Sequence, residues 1–268
     1  MCRLLGIVAE HPTTLRDCLR QTPRSLAWLS REHAHGWGVA LCAGEGVWRV
    51  HKNAARCGVD PRLDDIATLE LAQIWIAHVR ERTVGRVCLA NTHPFRRDRW
   101  VFAHIGTIAD RQFVKGRMSA RRAHEIEGDT DSELLFSYLL SCLDIAGANA
   151  YLAESTDAAL TFAVLAIREQ APDGSFTFLM SDGRRLYAYR RGSPLFVLQR
   201  RLAPGCLPPA PPAVLVAERP ITEEAWQPLP EGALLRVDRL PVPNPRLLVR
   251  GSEASLPHGS GPGLPFTD

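Results

Sequence analysis

Cys2 stands one residue from the N-terminus. A small second residue permits removal of Met1, which would leave a thiol and a free α-amine on one residue. That pair is a minimal nucleophile and base. The α-amine titrates at about 7.7–8.0 in model peptides, so part of it is a neutral base near neutral pH. Position alone does not make a catalyst, since any residue can follow the initiator. Ala77-His78-Val79-Arg80 sets a fixed cation at the end of an apolar, strand-like run. A guanidinium there suits bidentate capture of a carboxylate, and equally suits an ordinary strand-end surface. Asp129-Thr130-Asp131 opens a helix, where unpaired amides and the dipole stabilise one carboxylate; the second acid is available for an ammonium group. Phe102-Ala103-His104-Ile105-Gly106 ends a strand in glycine, which lets a ligand approach a backbone N–H. Asn91-Thr92-His93-Pro94-Phe95 is a polar loop just upstream, in which His93 by itself reads as a hydrogen-bonded loop histidine. His33, His35, His78, His93 and His104 lack metal-ligand spacing, so neither a metal nor a cofactor is expected. A cation, an acid and a nucleophile together describe a site for an α-amino acid.

The elements that must carry these residues follow from hydrophobic period. Leu4 to Ala9 suits a buried strand. Thr13 to Arg31 has a helical pattern broken near Pro23. Trp37 to Cys42 and Val47 to His51 read as strands paired across Gly44-Glu45-Gly46. A short helix is expected over Asp64 to Leu71, and strands over Ile74 to Val79 and Trp100 to Ile105. Thr130-x-x-Glu133 is a capping box before the apolar stripe Leu134, Leu135, Tyr138, Leu139, Cys142, so a helix is expected over Thr130 to Leu143. A second helix is expected over Ala146 to Ala159. Short strands are then expected over Thr161–Ile167, Phe176–Met180, Leu186–Tyr189, Leu195–Leu198, Ala213–Ala217 and Leu234–Val237. Strands, two central helices and more strands favour α+β layering over a doubly wound parallel sheet.

The chain has 268 residues, 46% hydrophobic and 23% charged, enough for one large domain with a real core. No apolar run approaches the roughly 18 residues of a membrane span, and no secretory signal pattern opens the sequence. Net charge is +3 from 32 basic and 29 acidic residues, too mild to imply nucleic acid. The Arg96-Arg97-Asp98-Arg99 run carries its own acid and reads as a solvated turn. Seven cysteines without a C-x-x-C fit a reducing cytoplasm, with Cys18, Cys42, Cys88 and Cys142 as small core residues. Fourteen of the 20 prolines fall between Pro204 and Pro265. An extended loop is expected over Pro204 to Pro212, and residues 241–268 are expected to form a poorly ordered tail after a domain spanning 1–240.

Six ordered segments resemble the class II glutamine amidotransferases, which are N-terminal-nucleophile hydrolases, and in particular their small stand-alone branch. They are Met1-Cys2-Arg3-Leu4-Leu5-Gly6, His35-Gly36-Trp37-Gly38, His78-Val79-Arg80 with Thr83 and Gly85, Asn91-Thr92-His93-Pro94-Phe95, Phe102-Ala103-His104-x-Gly106, and Gly128-Asp129-Thr130-Asp131-Ser132-Glu133. The resemblance implies a four-layer αββα sandwich of the N-terminal-nucleophile hydrolase type. It implies that Cys2 attacks the glutamine side-chain amide to form a γ-glutamyl thioester, with its own amine shuttling protons. Arg80 would hold the substrate α-carboxylate, Thr83 would add a polar contact, Asp131 would hold the α-ammonium, and the Gly106 N–H would donate to the oxyanion. Gly36 and Gly38 would be backbone-approach positions near the site; Trp37 would be core or wall, and Asn91, His93, His104 and Ile105 would line the site. The family normally has Asn at position 105, whose amide is the other oxyanion donor. Isoleucine has no donor, and losing one such donor costs roughly 10²–10³ in rate.

The expected function is cleavage of a γ-glutamyl amide, glutamine first, either as a hydrolase or with delivery of ammonia to a separate synthase partner. Hydrolysis of another γ-glutamyl amide is the nearest alternative. A catalytically weak or silent glutamine-binding protein is the alternative from another class, raised by Ile105. An RNA-binding role resting on arginine content is the weakest reading. No nucleic acid or membrane partner is expected.

Overall fold

The first strand, β1 (Arg3–Thr13), is buried from Arg3 through Ala9, and β2 (Trp37–Cys42) is buried at every residue. Strands buried on both faces lose the apolar/polar alternation of a surface sheet and read as continuous apolar runs. The computed structural model that shows this describes residues 2–16, 35–44, 46–55, 60–147, 152–171, 173–201 and 212–251. Its further strands are β3 (Trp48–Asn53), β4 (Ala72–Val79), β5 (Phe95–Arg97), β6 (Trp100–Thr107), β7 (Ser175–Ser181), β8 (Arg185–Tyr189), β9 (Phe196–Arg200), β10 (Ala213–Ala217), β11 (Gln227–Pro228), β12 (Leu234–Asp238) and β13 (Asn244–Val249). Its helices are α1 (Arg62–Leu69), α2 (Arg111–Lys115), α3 (Ala120–His124), α4 (Asp131–Ile145) and α5 (Ala153–Gln170).

Two antiparallel sheets form, in the orders β11-β9-β10-β1-β4-β2-β3 and β13-β12-β8-β7-β6-β5. Alternation along each strand divides its residues between layers. Leu4 and Val8 of β1, Ile74 and Ile76 of β4, and Val101, Ala103 and Ile105 of β6 meet between the sheets. Leu5, Ile7, Trp75 and Ala77 face the opposite way, against Leu63 and Ile66 of α1. Phe102 and Phe178 face Phe136, Leu139, Leu160 and Val164 of α4 and α5. The Phe102 and Phe136 rings stack with centroids 5.0 Å apart. Helix, sheet, sheet and helix thus form the expected α+β sandwich of four layers.

The helix after position 130 starts as expected, with Thr130 Oγ1 accepting from Glu133 N at 3.3 Å. The reciprocal half of the capping box is used elsewhere: the Glu133 carboxylate accepts from the Glu127 and Gly128 main chain and from Arg97. The second helix differs from expectation. Thr161–Ile167 is not a strand but lies within α5, whose buried residues Thr156, Ala159, Leu160, Ala163, Val164 and Ile167 recur at three- and four-residue steps. Helical period overrode the β-branched content of that segment. Asn244–Val249 forms the edge strand β13, so the second sheet continues past Pro241. Most of the helix expected over Thr13 to Arg31, the loop over Pro204 to Pro212 except Pro212, and Cys18, Cys57 and Cys206 lie outside the described residues.

Candidate active site

Strand register brings three segments to one end of the first sheet. Arg3 pairs with Val79, and Val79 pairs on its other side with Trp37. One residue further out, Cys2, Arg80 and Gly36 are therefore neighbours. The Arg80 N–H donates to Gly36 O at 2.8 Å. Parity places Cys2, which packs against the inter-sheet core, on the same face as Leu4. His78 and Arg80 continue the Ile74–Ile76 series on β4 and share that face.

Cys2 Sγ accepts from Glu81 N at 3.1 Å and lies 3.3 Å from Glu81 O. Burial pushes the thiol up to about 11, against the pull of nearby positive charge including Arg80. The resting sulfur is therefore a thiol at neutral pH, and attack requires a base to take its proton. The end of β1 is fixed by Glu218, which accepts from Leu4 N at 3.0 Å and pairs with Arg3 at 3.6 Å. Burial raises the Glu218 carboxyl, with the Leu4 N–H and Arg3 opposing. Sequence reasoning missed this residue because it lies beyond β10, far from any shared segment.

Arg80 is buried, and the loop that follows it wraps its guanidinium. Nη1 donates to Arg86 O at 2.9 Å and Nη2 to Val84 O at 2.8 Å. Those two bonds leave other N–H groups of the fork for a carboxylate. Burial lowers the Arg80 pKa, with Cys2, Cys88 and Asp129 pulling the other way. Thr83 lies exposed on the same loop. Asn91 ties that loop to the helix start, donating to Arg86 O at 2.9 Å and to the Asp129 carboxylate and accepting from Asp129 N at 3.0 Å. Gly85 has φ +75, and a Cβ there would lie 2.5 Å from Asp129 Oδ1. A chain of contacts thus runs from Arg80 through Asn91 to Asp129 and the first turn of α4. There Asp131, buried, accepts from Ile108 N at 2.8 Å through Oδ2. Its Oδ1 is left for a second donor.

Gly36 and Gly38 are close-approach positions, but what approaches is the protein. A Cβ on Gly38 would sit 2.2 Å from His93 O and 2.9 Å from Pro94 Cδ; one on Gly36 would sit 3.0 Å from Thr92 Oγ1. The 92–94 segment crosses β2 as a strap because both positions lack side chains. Trp37, between them, points into the outer core beneath Arg62 and is not part of the site. Gly106 has φ +134, and a Cβ there would lie 2.0 Å from Ser175 O on β7. Close strand packing alone therefore excludes any side chain. Ile105 is 7% exposed and lies in the inter-sheet core against which Cys2 packs.

His93 is a correction: it is not a hydrogen-bonded loop histidine but is 4% exposed, with neither ring nitrogen partnered. Its ring packs at a tilt against His78, with centroids 4.3 Å apart, and against Phe95, with centroids 4.5 Å apart. His104 meets Ser132 Oγ through Nδ1 at 2.9 Å. Burial lowers all three histidines, His78 to about 3 and His104 to about 4, and Asp131 holds His104 up in part. All three rings are neutral at pH 7. They do not converge as metal ligands; among the described residues no group of three or more His, Cys, Asp or Glu could hold a metal.

The family profile described as "Glutamine amidotransferases class-II" matches residues 1–205. A Haemophilus influenzae protein named as a candidate glutamine amidotransferase is 29% identical over 70% of this chain, and the match spans 63% of that relative's length. The γ-glutamyl-hercynylcysteine sulfoxide hydrolase of Mycolicibacterium smegmatis is 24% identical over 88% of this chain and 96% of that protein. The crystal structure of a candidate glutamine amidotransferase from Pseudomonas aeruginosa superposes with a TM-score of 0.63 at 25% identity, covering 89% of this chain and 98% of that one. With the profile matching more than half of the sequence, the chain belongs to the class II glutamine amidotransferases.

Proposed function

We propose that this chain cleaves γ-glutamyl amides, with glutamine the first substrate to test, through a thioester on Cys2. The observation that carries the reading is the adjacency of Cys2 and Arg80 on one inter-sheet face, with the thiol held by the Glu81 main chain. Arg80 takes the substrate α-carboxylate, Asp131 takes the α-ammonium, and Thr83 adds a polar contact at the rim. Removal of Met1 frees the Cys2 α-amine, which accepts the thiol proton as sulfur attacks the γ-carbonyl carbon. The C–S bond forms, and the C–N bond breaks as the amine returns that proton to the leaving nitrogen. Water, deprotonated by the same amine, attacks the thioester and releases glutamate and the thiol. The first leaving group is ammonia when glutamine is the substrate, and a separate ammonia-accepting synthase is the partner class this chemistry fits. The mycobacterial relative, named as a hydrolase of another γ-glutamyl compound, supports testing other leaving groups on the same glutamyl site.

A second reading rests on Ile105, which brings an apolar side chain to the position where an amide donor is expected. On that reading the chain binds γ-glutamyl compounds without turning them over. Release of glutamate from glutamine and from a γ-glutamyl anilide, measured for the parent and Cys2→Ala, separates the two. Turnover in the parent that Cys2→Ala abolishes supports cleavage. Saturable binding with no turnover supports the silent binder, and undiminished turnover in Cys2→Ala overturns the thioester mechanism.

A further inference from the structure

The cleavage reading leaves the oxyanion of the tetrahedral intermediate with one family donor, the Gly106 N–H. Resting on that reading, we propose that the His78 side-chain N–H is the second donor. His78 is 1% exposed, and neither ring nitrogen has a hydrogen-bond partner. The ring approaches the His104 main chain, but without the geometry of a hydrogen bond. A buried N–H without a well-formed hydrogen bond is rare in a well-packed core, because its lost hydration is not replaced. His78 pairs with Leu4, so its diagonal neighbour on the same face is Cys2. Diagonal partners on one face lie about 7–8 Å apart. An imidazole from one side and an acylated thiol from the other span that gap.

The ring is also held and neutral, as a donor fixed before reaction must be. His93 packs against it at a 45° tilt, centroids 4.3 Å apart, and is itself braced by Phe95 at 4.5 Å. The strap carrying His93 is seated over Gly38. A neutral imidazole keeps one N–H, and burial beside His104 and Arg80 keeps His78 neutral. Charged, it would repel the Arg80 guanidinium that the substrate needs. Ile105 lies in the core layer between the sheets, the layer that His78 fronts from the facing sheet, so the side chain that cannot donate and an imidazole without a formed hydrogen bond border the same layer.

The test is steady-state hydrolysis of glutamine by the full chain and by His78→Phe, His78→Gln and His78→Phe/Ile105→Asn. Removing one oxyanion donor costs roughly 10² in kcat with KM nearly unchanged, because the contact forms mainly in the transition state. His78→Phe should show that split while glutamate binding and melting temperature stay near the parent's. His78→Gln, which keeps an N–H, should retain more activity, and Ile105→Asn in the Phe background should restore kcat at least tenfold. Where Phe is not accommodated, His78→Met supplies the same loss of the N–H. A kcat within twofold of the parent for both Phe and Met, or a loss that neither Gln nor Ile105→Asn relieves, overturns the donor assignment and leaves Cys2-dependent cleavage standing. Absence of Cys2-dependent turnover in the parent overturns both.

Discussion

Gly38→Ala probes the geometry behind the site most sharply. An added methyl would lie 2.2 Å from His93 O and 2.9 Å from Pro94 Cδ. Ordinary contact begins near 3.4 Å, so the strap must retreat by about 1 Å, which overpacking data put at roughly 1–3 kcal/mol. Restricting the unfolded chain returns about 0.4–1 kcal/mol, so the net loss should be roughly 1–2 kcal/mol. The strap continues from Asn91, whose side chain joins the Arg80 loop to Asp129. A shift of that size at the supports of a site can cost about 10² in rate. Urea unfolding and kcat/KM on the best γ-glutamyl substrate measure both effects. Gly44→Ala is the control, because the nearest atom to its added methyl is Arg239 Nη1 at 3.9 Å. It should be neutral to slightly stabilising. A Gly38→Ala protein as stable and active as the parent would refute the strap argument.

Arg80→Leu should weaken glutamine binding at least tenfold while leaving an analogue without the α-carboxylate nearly unaffected, since a charge-assisted hydrogen bond contributes about 1.5–3 kcal/mol. Asp131→Asn should do the same for the α-ammonium, and two variants that bind like the parent would remove the amino-acid assignment. The depressed histidines make stability pH-dependent: below about 6.5 the unfolded chain takes protons that the folded rings at about 3 and about 4 refuse, so their contribution is complete above 6.5 and is lost as pH falls. At pH 5 that is roughly 2 kcal/mol for each of His78 and His104. His104→Asn should lack its share of the slope in urea titrations at pH 7.5 and 5, and imidazole NMR signals assigned to His78 and His104 that titrate near 6.5 in the folded parent would contradict the assignment.

The buried strands were legible where apolar runs end at turn residues, and Thr130 announces a helix start, but the edge strands β5 and β13 are too polar to show that signal. Thr161–Ile167 was not legible, since Thr, Phe, Val and Ile favour a strand locally while the inward stripe that decides the issue begins at Thr156, five residues earlier. The candidate residues Cys2, Arg80 and Asp131 could be proposed from their types and positions. Their second partners could not, because those arise from pairing between distant segments. Nothing near Gly38 tells that His93 O will pass over it, and nothing near Cys2 tells that Glu218 will hold the end of β1. Similarly, the Arg96–Arg99 run reads as a solvated turn, yet Arg97 reaches the buried Glu133 carboxylate at 2.7 Å.

Peptide mass mapping of the purified protein after treatment with an electrophilic glutamine analogue, such as its diazoketone, tests the Cys2 mechanism most directly. The expected result is a single adduct on a peptide that begins at Cys2, with Met1 gone, blocked by excess glutamine and strongly reduced in Arg80→Leu. An adduct confined to another cysteine, or a Cys2 that stays unmodified with its α-amine free, would contradict it.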